Sequence, residues 1–217
     1  MKLQQRDVIG RTYAERGEVG STISGLAAVY YRDDVHGTQF DLGGGIVERI
    51  MPGAFTTAIQ RDDVVGLFNH DGNEVLGRTS AGTLSLEERD EGLFYEIHDS
   101  DAPVNSKVAR MINDGNLQGS SFAFYITDQE LRDDGDLRIR EIREVELVDV
   151  GPVTFPAYSA TTTNVRGFDY TLVSRSSDAQ TLSERFDTIE QDKAAEIARQ
   201  SESRERELLL RRLSLTV

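Results

Sequence analysis

The chain has 217 residues, 38 acidic side chains against 24 basic ones, and no cysteine. That length suits one domain with a substantial core plus an appendage. The net charge of −14 disfavours nucleic acid and anionic membrane as partners, and the missing thiols exclude disulfides, thiolate metal sites and a cysteine nucleophile. Only His36, His70 and His98 could supply imidazole, which argues against a multi-histidine zinc site. No apolar run approaches the roughly 18 residues of a membrane helix. The start, Met1-Lys-Leu-Gln-Gln-Arg-Asp, lacks the apolar stretch of a signal peptide. The expectation is a cytoplasmic protein.

All four prolines precede residue 160, and the last glycine is Gly167. This break divides the chain into a body (1–164), a linker (165–177) and a helical tail (178–217). The body predicts short strands separated by turns. Ile23–Tyr31 is the first. Gly43-Gly44-Gly45 reads as a flexible loop before Ile46–Ile50, because no lysine or helix start follows to make a phosphate-binding loop. A short helix, Phe55–Gln60, follows Met51-Pro52-Gly53. The strand Val64–Phe68 then ends at Asn69-His70-Asp71-Gly72, a strong turn signal. Val75–Thr79, Thr83–Glu87 and Leu93–Ile97 read as a meander. His98-Asp99-Ser100-Asp101 reads as a solvated loop.

A second helix is predicted over Asn105–Asp114, capped by Asn105 or Ser106, with Val108, Met111 and Ile112 as its apolar stripe and Gly115 just beyond its end. Ser121–Thr127 alternates, with Phe122, Phe124 and Ile126 on one face and Ser121, Ala123 and Tyr125 on the other. Asp133-Asp134-Gly135-Asp136 lacks the spaced ligands of a calcium loop and reads as a hairpin turn. A long strand region, Leu137–Val150, follows. In the tail, Leu182, Phe186, Ile189 and Ile197 recur at helical spacing. That makes an amphipathic helix needing cover for one face, from its own body or from another molecule.

Serine chemistry needs a hydroxyl held beside a base, because a free serine is a poor nucleophile. The base in turn needs an acceptor on its other ring nitrogen. His70 stands at the end of an apolar strand, with Gly72 allowing a sharp turn; an ordinary surface histidine is the competing reading. Ser121 follows Gly119-Ser120, where a glycine permits close backbone approach; a satisfied serine at a strand start competes. Asp149 is in phase with Val145 and Leu147, and an acid aligned with apolar residues needs a partner when buried. A bulge in that strand would instead offer Glu144 or Glu146. Arg78 is a candidate for binding a carboxylate or an oxyanion, with a surface ion pair the commoner role.

Five segments occur in order: Met51-Pro-Gly-Ala-Phe55, Leu67-Phe-Asn-His-Asp71, Leu76-Gly-Arg-Thr79, Gly119-Ser-Ser-Phe-Ala-Phe124 and Val148-Asp-Val-Gly-Pro-Val-Thr-Phe-Pro-Ala-Tyr158. Together they resemble the prohead protease family of tailed phages, from about Gly25 to Tyr158. The resemblance implies a fold like the herpesvirus assemblin proteases: mainly β with α, a closed or nearly closed antiparallel barrel ringed by helices, here with a C-terminal amphipathic helix added. It implies a serine endopeptidase with no cofactor and no metal. Ser121 would be the nucleophile, ahead of the neighbouring Ser120, and His70 the base. Asp149 would be the third member, where the family commonly has Glu. Gly151 stands where serine is expected.

The implied role is cleavage of scaffold, or of the scaffolding segment of the major capsid protein, inside the immature capsid, with self-cleavage near the linker. Scaffold or capsid protein would then be both substrate and packaging partner, and a homodimer is left open. The alternative function is a non-catalytic capsid-assembly protein that keeps the barrel and binds through its tail.

Overall fold

The computed structural model describes residues 2–9, 12–135, 137–154 and 172–174, together with 183–189, 191, 195 and 199. The chain divides into two compact units, Met1–Ser177 and Asp178–Val217. The first unit is built from twelve strands and two helices among the described residues. In chain order these are β1 (Gln4–Ile9), β2 (Thr12–Arg16), β3 (Ser21–Val29), β4 (Phe40–Gly43), β5 (Ile46–Ile50), α1 (Thr56–Arg61), β6 (Val65–Leu67), β7 (Val75–Arg78), β8 (Leu84–Arg89), β9 (Gly92–Ser100), α2 (Pro103–Asn113), β10 (Gly119–Asp133), β11 (Arg138–Val153) and β12 (Leu172–Ser174). In the second unit, 183–189 is helical, with Phe186 buried and Ile189 half-buried. Leu182 and Ile197, expected on the same stripe, lie outside the described residues.

The protein is mainly β, but the barrel expected from the resemblance does not form. One sheet runs β12-β1-β10-β11-β5-β4, with β6 and β7 off that path; the other runs β2-β3-β9-β8. No ladder joins β4 to β12, so among the described residues the larger sheet stays open. Its end strands approach one another without pairing. The sheet also forks at β11, which on the edge away from β10 takes two parallel partners in succession, β5 along Arg138–Ile142 and β6 at Asp149–Val150.

The meander is also corrected. β7 pairs with β6, whereas β8 and β9 form a hairpin in the second sheet. At the crossing, Gly77 lies so close to the Thr83 carbonyl that a Cβ would sit 2.6 Å from it. Within the segment expected as a linker, Leu172–Ser174 pairs with β1.

α2 starts one residue after Ala102, with Pro103 in the first turn and no side-chain cap. Proline suits that place, where its missing N–H leaves no bond unmade. Asn105, expected as a cap, is instead buried and donates to the Leu76 carbonyl at 3.0 Å. The helix ends as expected at Gly115, φ +74°. The Gly115 and Asn116 N–H groups donate to Ile112 and Met111 at 2.9 and 2.8 Å, a Schellman closure. The three glycines 43–45 all have positive φ and form the β4–β5 turn.

β1 carries no strand signal, because Gln4-Gln-Arg-Asp7 reads as polar surface. Its Arg6 is nonetheless fully buried, as is Glu48 of β5, and the two meet in a bidentate pair at 2.5 and 2.9 Å. Arg140 stands 3.2 Å from the same carboxylate. The Arg6 guanidinium also lies over the rings of Phe40 and Phe124. A buried pair is destabilising to break but replaceable by packing. Glu48→Ala is therefore expected to lower the unfolding free energy by about 3–5 kcal/mol; urea unfolding monitored by circular dichroism checks it.

The same sheet contains a close approach that no side chain fits. A Cβ on Gly151 would lie 2.0 Å from the Leu67 carbonyl. This accounts for glycine where the family resemblance leads one to expect serine. Gly151→Ala is expected to push β6 off β11 and cost about 2–3 kcal/mol, read from the same unfolding curves.

Candidate active site

Ser121 sits on β10, between β1 and β11. Its cross-strand neighbours are Asp7 and Gly151. Alternation along the strand separates two surfaces. Phe122 and Phe124 stack at 4.8 Å between ring centroids, and Phe122 meets Phe55 edge-on at 5.6 Å. The Met51-Pro-Gly-Ala-Phe55 segment thus buttresses the rear of the strand that carries Ser121. Ser121 and Ala123 project from the other surface. Ser120 is buried but turned away, bonded to Thr12 and Tyr95. Of the two serines, it is Ser121 that meets His70.

His70 reaches this surface from β6. After Leu67 the chain passes through Phe68 and then places Asn69 and His70 in the left-handed region, both at φ 57°. Asn tolerates this conformation; His does so at a cost on the order of 1–3 kcal/mol, which surrounding bonds must offset. Those bonds are present. The Asn69 N–H donates to the Pro152 carbonyl at 3.0 Å. Its side-chain amide accepts from the Thr154 N–H at 2.7 Å and donates to the Thr154 hydroxyl at 3.0 Å. Beyond His70, Asp71 accepts from the Asn73 backbone and side chain, each at 2.9 Å, which holds its carboxyl below the usual range. The left-handed pair folds the imidazole back over β11.

Asp149 arrives by a route the simple alternation does not foresee. Ala123 pairs with Asp149, but Phe124 pairs with Leu147. Val148 is therefore an extra residue, a β-bulge, and a bulge reverses the side-chain phase across it. Leu147 shares the face of Phe124, while Asp149 shares the face of Ala123 and Ser121. Glu144 and Glu146, the acids that a bulge would have brought forward, do not meet His70. Glu146 is exposed and Glu144 half-buried, and both add to the negative field that raises the Arg61 pKa after Asp62.

The three side chains converge. His70 Nδ1 is 2.5 Å from Asp149 Oδ1, and His70 Nε2 is 2.6 Å from Ser121 Oγ. A carboxylate against Nδ1 fixes the proton on that nitrogen and leaves the Nε2 lone pair facing the hydroxyl. Ser121 Oγ also lies 3.0 Å from the Arg6 carbonyl, so one hydroxyl proton faces two acceptors. The site is nearly dry: Ser121 is 0% exposed, and the side chains of His70 and Asp149 are each 8% exposed. Charge separation is felt more strongly there than in water.

The other sequence candidates fall elsewhere. Arg78 forms a surface ion pair with Asp63 at 2.7 Å, which holds the Asp63 carboxyl well below the usual range. Thr79 ties β7 to β6, accepting from the Val64 N–H at 2.8 Å. His36 is exposed, and His98 lies on β9, bonded to Ser85 at 3.1 Å. Of the expected Asp133–Asp136 turn, the Gly135 N–H donates to Asp133 at 2.9 Å, and Asp136 lies outside the described residues. Among the described residues no group of three or more acids and histidines could hold a metal ion, and no helix is long and apolar enough to cross a membrane. Sequence reasoning missed Arg6, whose contribution is a backbone carbonyl and so has no residue-type signal, and Thr12 and Tyr95, which are remote from every motif.

No curated protein matches the chain. Among solved structures, the bacteriophage T4 capsid assembly protease gp21 is 15% identical over 72% of this chain and 100% of its own, at a TM-score of 0.39. The profile of the caudovirus prohead serine protease family matches residues 9–176, a span that contains His70, Ser121 and Asp149, and the chain belongs to that family.

Proposed function

We propose that the chain is a serine endopeptidase acting in procapsid maturation, with Ser121 as nucleophile, His70 as base and Asp149 as the acid that orients it. The observation that carries this reading is the pair of bonds on the two nitrogens of one imidazole, a carboxylate on Nδ1 and the serine hydroxyl on Nε2. In that arrangement Nε2 takes the hydroxyl proton as Oγ attacks the scissile carbonyl, and then delivers it to the leaving amine. The acyl-serine that results is hydrolysed by water, with His70 again the base. Asp149 holds the tautomer and stabilises the imidazolium without taking the proton itself. Its carboxylate is one methylene shorter than the glutamate common in the family, and its Oδ1 stands 2.5 Å from His70 Nδ1.

The substrates proposed are scaffold, or the scaffolding segment of the major capsid protein, and the chain itself, cut inside the immature capsid. The body at 1–164 would hold the chemistry. The tail at 178–217 would tether the enzyme to scaffold or coat, with release by cleavage near 166–178.

Ser121→Ala and His70→Ala are expected to abolish self-shortening and the processing of co-expressed capsid protein on a gel. Asp149→Asn is expected to lower kcat on the order of 10⁴-fold through the wrong tautomer. Unchanged processing by Ser121→Ala would overturn the assignment. Tail-deleted protein is expected to be absent from procapsids that contain the intact chain; equal incorporation in a sedimentation assay would refute the tether.

A further inference from the structure

The surface of β10 opposite His70 carries a second set of hydroxyls that the proposed chemistry does not use. Thr12 Oγ1 of β2 lies 3.0 Å from the Gly119 carbonyl and 2.8 Å from Ser120 Oγ. Ser120 Oγ lies 3.0 Å from the hydroxyl of Tyr95 on β9. Ser120 and Tyr95 are 0% exposed. A carbonyl can only accept, so one arrangement uses all three protons: Tyr95 donates to Ser120, Ser120 to Thr12, and Thr12 to the Gly119 carbonyl. Burial pushes the Tyr95 hydroxyl up to about 12, so it remains a neutral donor at neutral pH. The chain of bonds crosses from the second sheet, which contributes β2 and β9, to the larger sheet, which contributes β10. It fastens the two residues immediately before Ser121, one by its carbonyl and one by its side chain.

We infer that Thr12, Ser120 and Tyr95 are positioning residues, which lock the backbone of β10 so that Ser121 Oγ stays within reach of His70. The inference rests on Ser121 being the nucleophile. The register around Ser121 gives it force. Gly119 and Ser120 pair with Ile9 and Val8 on one side and with Val153 and Pro152 on the other, and Pro152 turns its carbonyl away from β10, to the Asn69 N–H. Close by, the β10–β11 ladder is interrupted by the bulge at Val148. The hydroxyl chain supplies an anchor independent of that irregular ladder. A displacement of about 1 Å at a reacting atom can cost on the order of a hundredfold in rate, so a small relaxation of this anchor should be visible in the chemistry.

The test is covalent labelling of the full chain by a fluorophosphonate probe, at a temperature where circular dichroism shows every variant folded. Tyr95→Phe removes a single oxygen atom, and Ser120→Ala removes the central link. Both are expected to lower the maximal inactivation rate about tenfold while leaving the half-saturating probe concentration unchanged, with the pH profile keeping its midpoint. Thr12→Ser keeps the hydroxyl and is expected to behave as the parent chain. Rates for Tyr95→Phe and Ser120→Ala within about twofold of the parent would overturn the inference, as would losses confined to probe binding. Labelling that survives Ser121→Ala, or a parent chain that does not label, would count against the functional assignment and remove the inference with it.

Discussion

The contact on which the site depends is the approach of the Leu67 carbonyl to the bare Cα of Gly151. It allows β6 to run parallel alongside the last part of β11 and puts the following left-handed turn directly over Asp149. Parallel pairing of a three-residue strand is weak by itself. It is reinforced from the outside by β7 through the Gly66–Gly77 pairing and from the far end by the amide exchange between Asn69 and Thr154. Much of the family's motif vocabulary serves this one placement: Leu76-Gly-Arg-Thr79 fastens the outer strand, Asn69 clamps the turn, and Gly151 clears the space.

β10 divides the unit's chemistry between its two faces. One face carries the aromatic stack of Phe122 and Phe124 and the buried Arg6–Glu48 pair. The other carries Ser121 with the imidazole and carboxylate. The partition survives only because β11 inserts Val148, which moves Asp149 from the apolar face to the face of Ser121. Burying an acid here is tolerable because the imidazole satisfies it. The packing of the core and the meeting of His70 with Asp149 are therefore tied to one irregularity in the sheet.

Much of this was legible in the sequence, and the limits are physical. Strands with clean alternation or β-branched runs, such as Ser121–Thr127 and Ile23–Tyr31, are seen near the predicted places. Gly115 ends its helix as its lack of a Cβ suggests. His70, Ser121 and Asp149 meet, yet the phase argument offered for Asp149 was not the operative one: alternation put it with Leu147, and the bulge reversed that. A bulge has no composition of its own, so periodicity cannot find it. β1 escaped because its buried arginine and aspartate resemble surface residues until their partners on other strands are known. The unclosed barrel escaped for a similar reason, since whether two end strands pair depends on contacts far apart in the chain.

Sequence separation also bears on when the site comes into being. The bond of the Ser121 hydroxyl to the Arg6 carbonyl spans 115 residues, and the imidazole–carboxylate bond spans 79. Loops of this span are slow to close, because their entropy is lost before the contact compensates for it. During synthesis His70 emerges well before Ser121, and Ser121 before Asp149. A chain leaving the ribosome thus cannot assemble the three until β11 (Arg138–Val153) has been made and has docked, a delay built into topology alone.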